Sequence, residues 1–338
     1  MPARQDAPNR NGLAGAALSV LLLAGLVFLT AGAGILLTRQ TGRIAALWPA
    51  NAVMLSLILR AGPGRWPALA LAGLAGNLAA NLLAGDSWQI ALLLGLCNQV
   101  EVLLAFWGIG RRLGGGPIEP TNPRQIADFL LFAVLLGPVL SAALGATIMA
   151  ALAGADPIAV GRMWFTADAL GMLTVAPPLL ALRLAAINRL RRLGRLPEVA
   201  PILLGVAGAA LLVFGQSRYP LLFLVFPALL LPAFRLGVFG AALASLISAL
   251  IGIVLTAWGY GPLSLINGAE LPERVLVLQG FLALATLTSL SLATIVSRHG
   301  AAVQALRDSE ERFRLLVGSV VDYAIYMLDV EEIGRAHV

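Results

Sequence analysis

Ten apolar runs, most of them close to the length of a membrane crossing, leave this chain few ways to fold. They fall at 13–38, 44–60, 66–84, 88–110, 126–153, 164–187, 199–215, 219–234, 236–258 and 275–297. A helix crossing the hydrocarbon core needs about 20 mostly apolar residues, and it must satisfy its own backbone because the lipid cannot. The composition agrees, with 59% hydrophobic and 12% charged residues and a mean hydropathy of +0.89. Soluble domains average roughly 45–50% apolar and about 25% charged. The chain therefore reads as an all-α polytopic membrane helical bundle. Two runs, 44–60 and 219–234, are short and carry Pro49, Pro227 and Pro232. Such segments suit re-entrant or broken helices buried against neighbours. The expectation is eight to ten transmembrane helices. The first run lacks a small-residue cleavage site and reads as a retained span.

The arginines orient the bundle. All 23 basic residues are arginine, and the net charge is +6. With the N-terminus in the cytoplasm and ten alternating spans, 14 arginines fall inside: Arg4, Arg10, Arg60, Arg65, Arg111, Arg112, Arg124, Arg183, Arg189, Arg191, Arg192, Arg195, Arg235 and Arg298. Outside lie five, Arg39, Arg43, Arg162, Arg218 and Arg274. That bias is the one the positive-inside rule predicts. Demoting both short runs to re-entrant segments keeps both termini cytoplasmic. The basic charge is thus a topology signal and implies no nucleic-acid partner; the lipid bilayer is the partner expected.

Helical periodicity continues past the last run. Val296, Val303, Glu310 and Val317 recur every seven residues, as do His299, Leu306, Phe313 and Val320 three positions later. This a/d pattern, broken at His299 and Glu310, fits either a parallel two-stranded linker, and hence a homodimer, or a single amphipathic helix on its own domain.

A few polar residues lie inside apolar runs. Glu101 sits in "LLLGLCNQVEVLLAFW", near the middle of the fourth run, beside Asn98 and Gln99. An acidic residue at a span centre costs roughly 2.5–3.5 kcal/mol on insertion scales, so such residues face a bundle interior or water. Glu101 reads as a proton relay, a cation site or a ligand's hydrogen-bond partner; the plainer reading is a polar contact joining two helices. Asp168, in "WFTADALGMLTVAPPLL", falls about one turn into the sixth run. A carboxylate there suits the positive end of a helix dipole or a ligand site. In "ALWPANAVMLSLILR", Trp48 and Pro49 read as an interfacial anchor and a helix first turn. Asn51 follows, and with Asn77 and Asn81 of "GLAGNLAANLL" it could form a polar seam between two spans.

Several chemistries are excluded. With two histidines and the single Cys97 there is no zinc cluster, Ser-His-Asp arrangement or intrachain disulfide. No GxxxxGK[ST] or GxGxxG phosphate cradle occurs. No catalytic residues, metal ligands or cofactor are expected in this chain.

Three segments carry a resemblance: "LWPANAV" (47–53), "RWPALALAGLAGNLAANLL" (65–83) and "WFTADALGMLTVAPPLL" (164–180). They resemble the membrane-associated sensor domains of the MASE type, first class. The third is close to that family's Trp-aromatic-x-x-Asp-x-x-Gly with a following Ala-Pro, here Trp164, Phe165, Asp168, Gly171, Ala176 and Pro177. One departure is Asn51-Ala52, where family members commonly carry a small residue and glycine. The resemblance implies a bacterial inner-membrane input module for histidine kinases or diguanylate cyclases, with an unidentified small-molecule or membrane stimulus. It makes Glu101, Asp168, Asn51, Asn77, Asn81, Asn98, Trp48 and Trp164 the ligand-sensing candidates.

The stretch "SEERFRLLVGSVVDYAIYMLD" (309–329) resembles the start of a PAS domain, of the kind that precedes sensor histidine kinases. The final "EIGRAHV" is what a common sequencing-library adapter gives when translated (GAG ATC GGA AGA GCA CAC GTC). The expected organisation is a cytoplasmic tail at 1–12, a membrane sensory domain at 13–297, and a cytoplasmic helical linker at 298–316. The truncated start of an α+β PAS domain follows at 317–331, and adapter-derived sequence at 332–338. The alternative function is a secondary transporter or channel-like protein, which mid-membrane Glu101 and proline-broken helices would also suit.

Overall fold

The computed structural model describes residues 10–40, 46–61, 64–114, 119, 121–318, 326–328 and 334–336. The helices are α1 Arg10–Gln40, α2 Pro49–Ala61, α3 Trp66–Leu83, α4 Trp88–Leu113, α5 Pro123–Phe129, α6 Gly137–Ala153, α7 Pro157–Ala181, α8 Leu184–Arg192, α9 Val199–Phe214, α10 Val225–Ala257 and α11 Leu271–Gly318. A π-helical segment, Leu130–Leu136, joins α5 to α6. Among the described residues eight helical stretches are long and apolar enough to cross a membrane. This is the all-α polytopic bundle that the sequence predicts, at the low end of the expected count.

The two doubtful runs explain the difference. Run 44–60 becomes α2, only 13 residues long, or about 20 Å. Run 219–234 joins run 236–258 in α10, which breaks at Gly237 with φ 68° and ψ −155°. That conformation is accessible to glycine and costly for residues with a β-carbon. Arg195 donates to the Arg235 carbonyl at 2.9 Å beside this break. Arg235 itself pairs with Glu198 through two bonds of 2.8 and 2.7 Å.

Local signals set the helix ends. Ser87, Asn122 and Asp156 cap α4, α5 and α7 by accepting from Ile90, Arg124 and Ile158 backbone N–H groups. Proline occupies the first turn of α3, α5, α6 and α7, where a missing N–H does no harm. Gly114 and Gly154 end α4 and α6 at φ 58° and 62°.

The molecule divides into two compact units, 1–294 and 295–338. In the first, small residues allow close helix approach, as expected where lipid supplies no hydrophobic drive between helices. A β-carbon at Gly76 would strike the α1 backbone at Ala24 and Phe28, and one at Gly145 would strike the Trp164 ring. The polarity is inside-out relative to a soluble fold: Leu21, Leu29, Leu83, Leu204 and Leu212 face outward, while Asn51, Glu101, Asp168 and Gln279 are buried.

In the second unit, the α11 residues Leu306 and Phe313 of the heptad pattern are exposed. Two three-residue strands, β1 Tyr326–Leu328 and β2 Gly334–Ala336, pair antiparallel, with Met327 opposite Arg335. β1 falls in the segment expected to supply the first PAS strand, and β2 in the segment attributed to an adapter. Residues 319–325 and 329–333 lie outside the described residues. A two-stranded ribbon is marginal by itself.

Candidate functional site

α4 presents Asn98 and Glu101 on one face, because residues three apart are neighbours on a helix. Glu101 is fully buried, and Asn98 nearly so. α7 presents Trp164 and Asp168 four apart, with Asp168 only 3% exposed. α2 supplies Asn51, the third residue of its first turn and fully buried.

These elements converge. Asn51 Nδ2 donates to Glu101 Oε2 at 2.9 Å and to Asn98 Oδ1 at 3.1 Å. The carboxyls of Glu101 and Asp168 lie within hydrogen-bonding reach of each other. Ser141 of α6 approaches Glu101 and accepts from Trp164 Nε1 at 3.1 Å, and the Trp164 side chain also approaches Asp168. Asn51 Oδ1, Glu101 Oε1 and Asp168 Oδ2 are buried oxygens with no donor among the described residues.

Backbone packing fixes this geometry. The π segment arises where Gly137-Pro138 interrupts a long apolar helix: the Gly137 N–H bonds back to the Phe132 carbonyl, five residues earlier. Such bulges frequently mark functional sites. A β-carbon on Gly137 would stand 3.1 Å from Glu101 Cγ, so the bulge rests directly on Glu101. Gly171 serves α7 similarly, since a β-carbon there would overlap the Trp48 carbonyl. Trp48 N–H donates to the Ala167 carbonyl at 3.1 Å, and Gln279 of α11 donates to the Ala46 carbonyl at 3.1 Å. The segment before α2 is thereby held inside the bundle by α7 and α11, with Ala46 and Leu47 both buried.

Of the predicted residues, Asn51, Asn98, Glu101, Trp164 and Asp168 meet in one cluster. Trp48 borders it through its backbone. Its half-buried ring packs under Gly34 of α1. The expected seam of Asn51 with Asn77 and Asn81 forms differently. Asn81 donates to Asn77 Oδ1 at 2.7 Å within α3, while Asn51 turns to α4. Gln99, on another side of α4, donates to the Ala70 carbonyl at 2.6 Å. Sequence reasoning missed Ser141, Gln279 and the spacing glycine Gly137, and named Gly171 only as part of the family motif. Gly137-Pro138 inside an apolar run was the signal for the bulge; nothing local singles out Ser141.

A separate cavity of about 80 Å³ in the first unit is walled by Ile109 and Leu113 of α4, Leu173 and Pro177 of α7, and Leu290 and Thr294 of α11. The two helices that carry the carboxyls therefore also line this space, together with α11. Among the described residues no cluster of three or more His, Cys, Asp or Glu could hold a metal ion.

A bundle of apolar helices around a small buried polar cluster defines a multi-pass membrane protein with an internal polar site. The family model for MASE1 matches residues 18–299. The chain belongs to the MASE1 family, membrane sensory domains of signalling proteins such as histidine kinases and cyclases. The sensory expectation therefore stands ahead of the transporter alternative. No curated protein and no solved structure matches the chain.

Proposed function

We propose that this chain is the input module of a bacterial sensor histidine kinase carrying a PAS domain, or of a diguanylate cyclase. In this reading it sits in the inner membrane with both termini cytoplasmic, and the cluster around Glu101 and Asp168 is where the stimulus acts. One observation carries the reading: α4 and α7 bear the two carboxyls, and with α11 they wall a single cavity. α11 then runs as one helix from Leu271 to Gly318. A stimulus that alters the α4–α7 spacing thus bears on the helix that leads toward the output. Its effect depends on different affinities for two packings, since equal affinity shifts nothing.

The linker at 298–316 is proposed to pair with a second copy. Leu306 and Phe313, exposed in one chain, would then form the seam of a parallel coiled coil.

Sequencing the locus past the codon for Val338 tests the output. A PAS domain followed by a phosphoacceptor-histidine helix and an ATP-binding domain supports the kinase form, and a GGDEF domain the cyclase form. A functional test fuses residues 1–318 to a cytoplasmic kinase core at successive one-residue linker lengths. Autophosphorylation that oscillates with the heptad and shifts in Glu101→Gln supports an input module. Activity indifferent to both would reject it.

A further inference from the structure

The Glu101–Asp168 cluster is an excess of acceptors. Two carboxyls, both buried, approach each other across α4 and α7. Asn51 has committed both amide hydrogens, to Glu101 and to Asn98. Its Oδ1 is left in the cluster, fully buried, without a donor. Glu101 Oε1 and Asp168 Oδ2 are in the same position. None of the groups acting on either carboxyl is cationic. They are Asn51 on α2, Ser141 on α6 and Trp164 on α7, and the one other titratable side chain facing Asp168 is Cys97 on α4.

Unpaired buried acceptors are costly, and two ionised carboxylates in contact inside a membrane bundle are more so. A positive particle between them relieves both penalties. The α2 first turn, whose third residue is Asn51, brings the positive end of a helix dipole to the same place, which offsets part of a remaining negative charge.

We propose that Glu101, Asp168 and the Asn51 side-chain oxygen form a binding site for one small monovalent cation of the sodium class, which competes with a proton for the same oxygens. The site offers only oxygen ligands, with Asn98 Oδ1 and Ser141 Oγ beside the three unpaired atoms; hard cations prefer such a set. Calcium takes six to eight oxygens, and magnesium demands near-ideal octahedral geometry with retained water, which this small enclosed cluster does not supply. Exchange of a proton for a singly charged ion also leaves the buried charge unchanged. The O–H bond of the shared carboxylic acid breaks, the proton leaves to solvent, and the cation takes its place between the oxygens.

The proposal rests on the reading of this cluster as the place where the stimulus acts, and it names the stimulus. The test uses the full chain in lipid nanodiscs in weakly buffered solution, with sodium chloride added against choline chloride at equal ionic strength. The expected result is one proton released per sodium ion bound and loss of a carboxylic C=O infrared band. Glu101→Gln and Asp168→Asn should each abolish the release. To keep the test independent of how either variant folds, the sodium-dependent rise in thermal midpoint of the unaltered protein is read as well. Equal responses to sodium and choline, or a carboxylic band that follows pH but ignores sodium, would overturn the site. Sodium binding without any change in output from a fused kinase would leave the site standing and defeat the sensory reading instead.

Discussion

Asn51 donates to Glu101 across 50 residues of sequence, joining a short helix inside the bundle to the most buried charge-bearing side chain of α4. The bond ties the first motif of the chain to the fourth run, and Trp48 N–H to Ala167 C=O ties the same motif to α7.

Asn51→Ala removes the only donor that Asn98 and Glu101 Oε2 receive from α2. Leaving a buried acceptor unpaired costs about 1–3 kcal/mol. Thermal unfolding in detergent should show a lowered midpoint, larger than for Asn81→Ala, whose bonds stay within α3. Equal shifts would contradict the central role of Asn51.

Gly171→Ala places a β-carbon against the Trp48 carbonyl. Overpacking of this kind costs about 1–3 kcal/mol, and the segment before α2 should move away from α7. Tryptophan fluorescence and the melting midpoint should both change, whereas Gly161→Ala, whose β-carbon meets only ordinary contact, should leave them as they are.

Gly237→Ala tests the break in α10. With φ 68° and ψ −155°, an alanine pays about 1–3 kcal/mol of backbone strain. The variant should melt earlier than Gly208→Ala, whose β-carbon meets open space, or be driven toward a straighter helix, visible as altered protease access at residues 235–238. An unchanged melt and protease pattern would count against the break.

The linker prediction uses the single Cys97, which is buried and should resist maleimide in the folded protein. In a Cys97→Ser background, Leu306→Cys and Phe313→Cys should form disulfide-linked dimers in oxidised membranes, while Asp308→Cys, on the opposite face, should not. Equal cross-linking at all three positions would argue against a parallel seam.

Much of this protein was legible in its sequence. Apolar runs gave the spans because lipid forces each crossing segment to satisfy its own backbone. Pro49 marked a helix start because a first turn tolerates the missing N–H, a local property. Glu101 and Asp168 stood out as candidates because charge inside apolar runs is expensive. What no local signal carried was the partner of each polar group. Asn51 has the same neighbours in sequence whether it faces α3, as the seam with Asn77 and Asn81 supposed, or α4, as it does.

The sequence by itself determined that the chain is a helical membrane bundle, roughly where each helix starts and stops, and which buried residues need an explanation. Only the tertiary structure decided that α2 is a short helix within the bundle, that the π segment rests on Glu101, and that Glu101 and Asp168 meet. The physical reason is that membrane helices are apolar on most faces, so periodicity does not say which face turns inward. Facing is set by where glycines let backbones touch, at Gly137 against Glu101 and Gly171 against Trp48. Those contacts exist only between segments far apart in the chain.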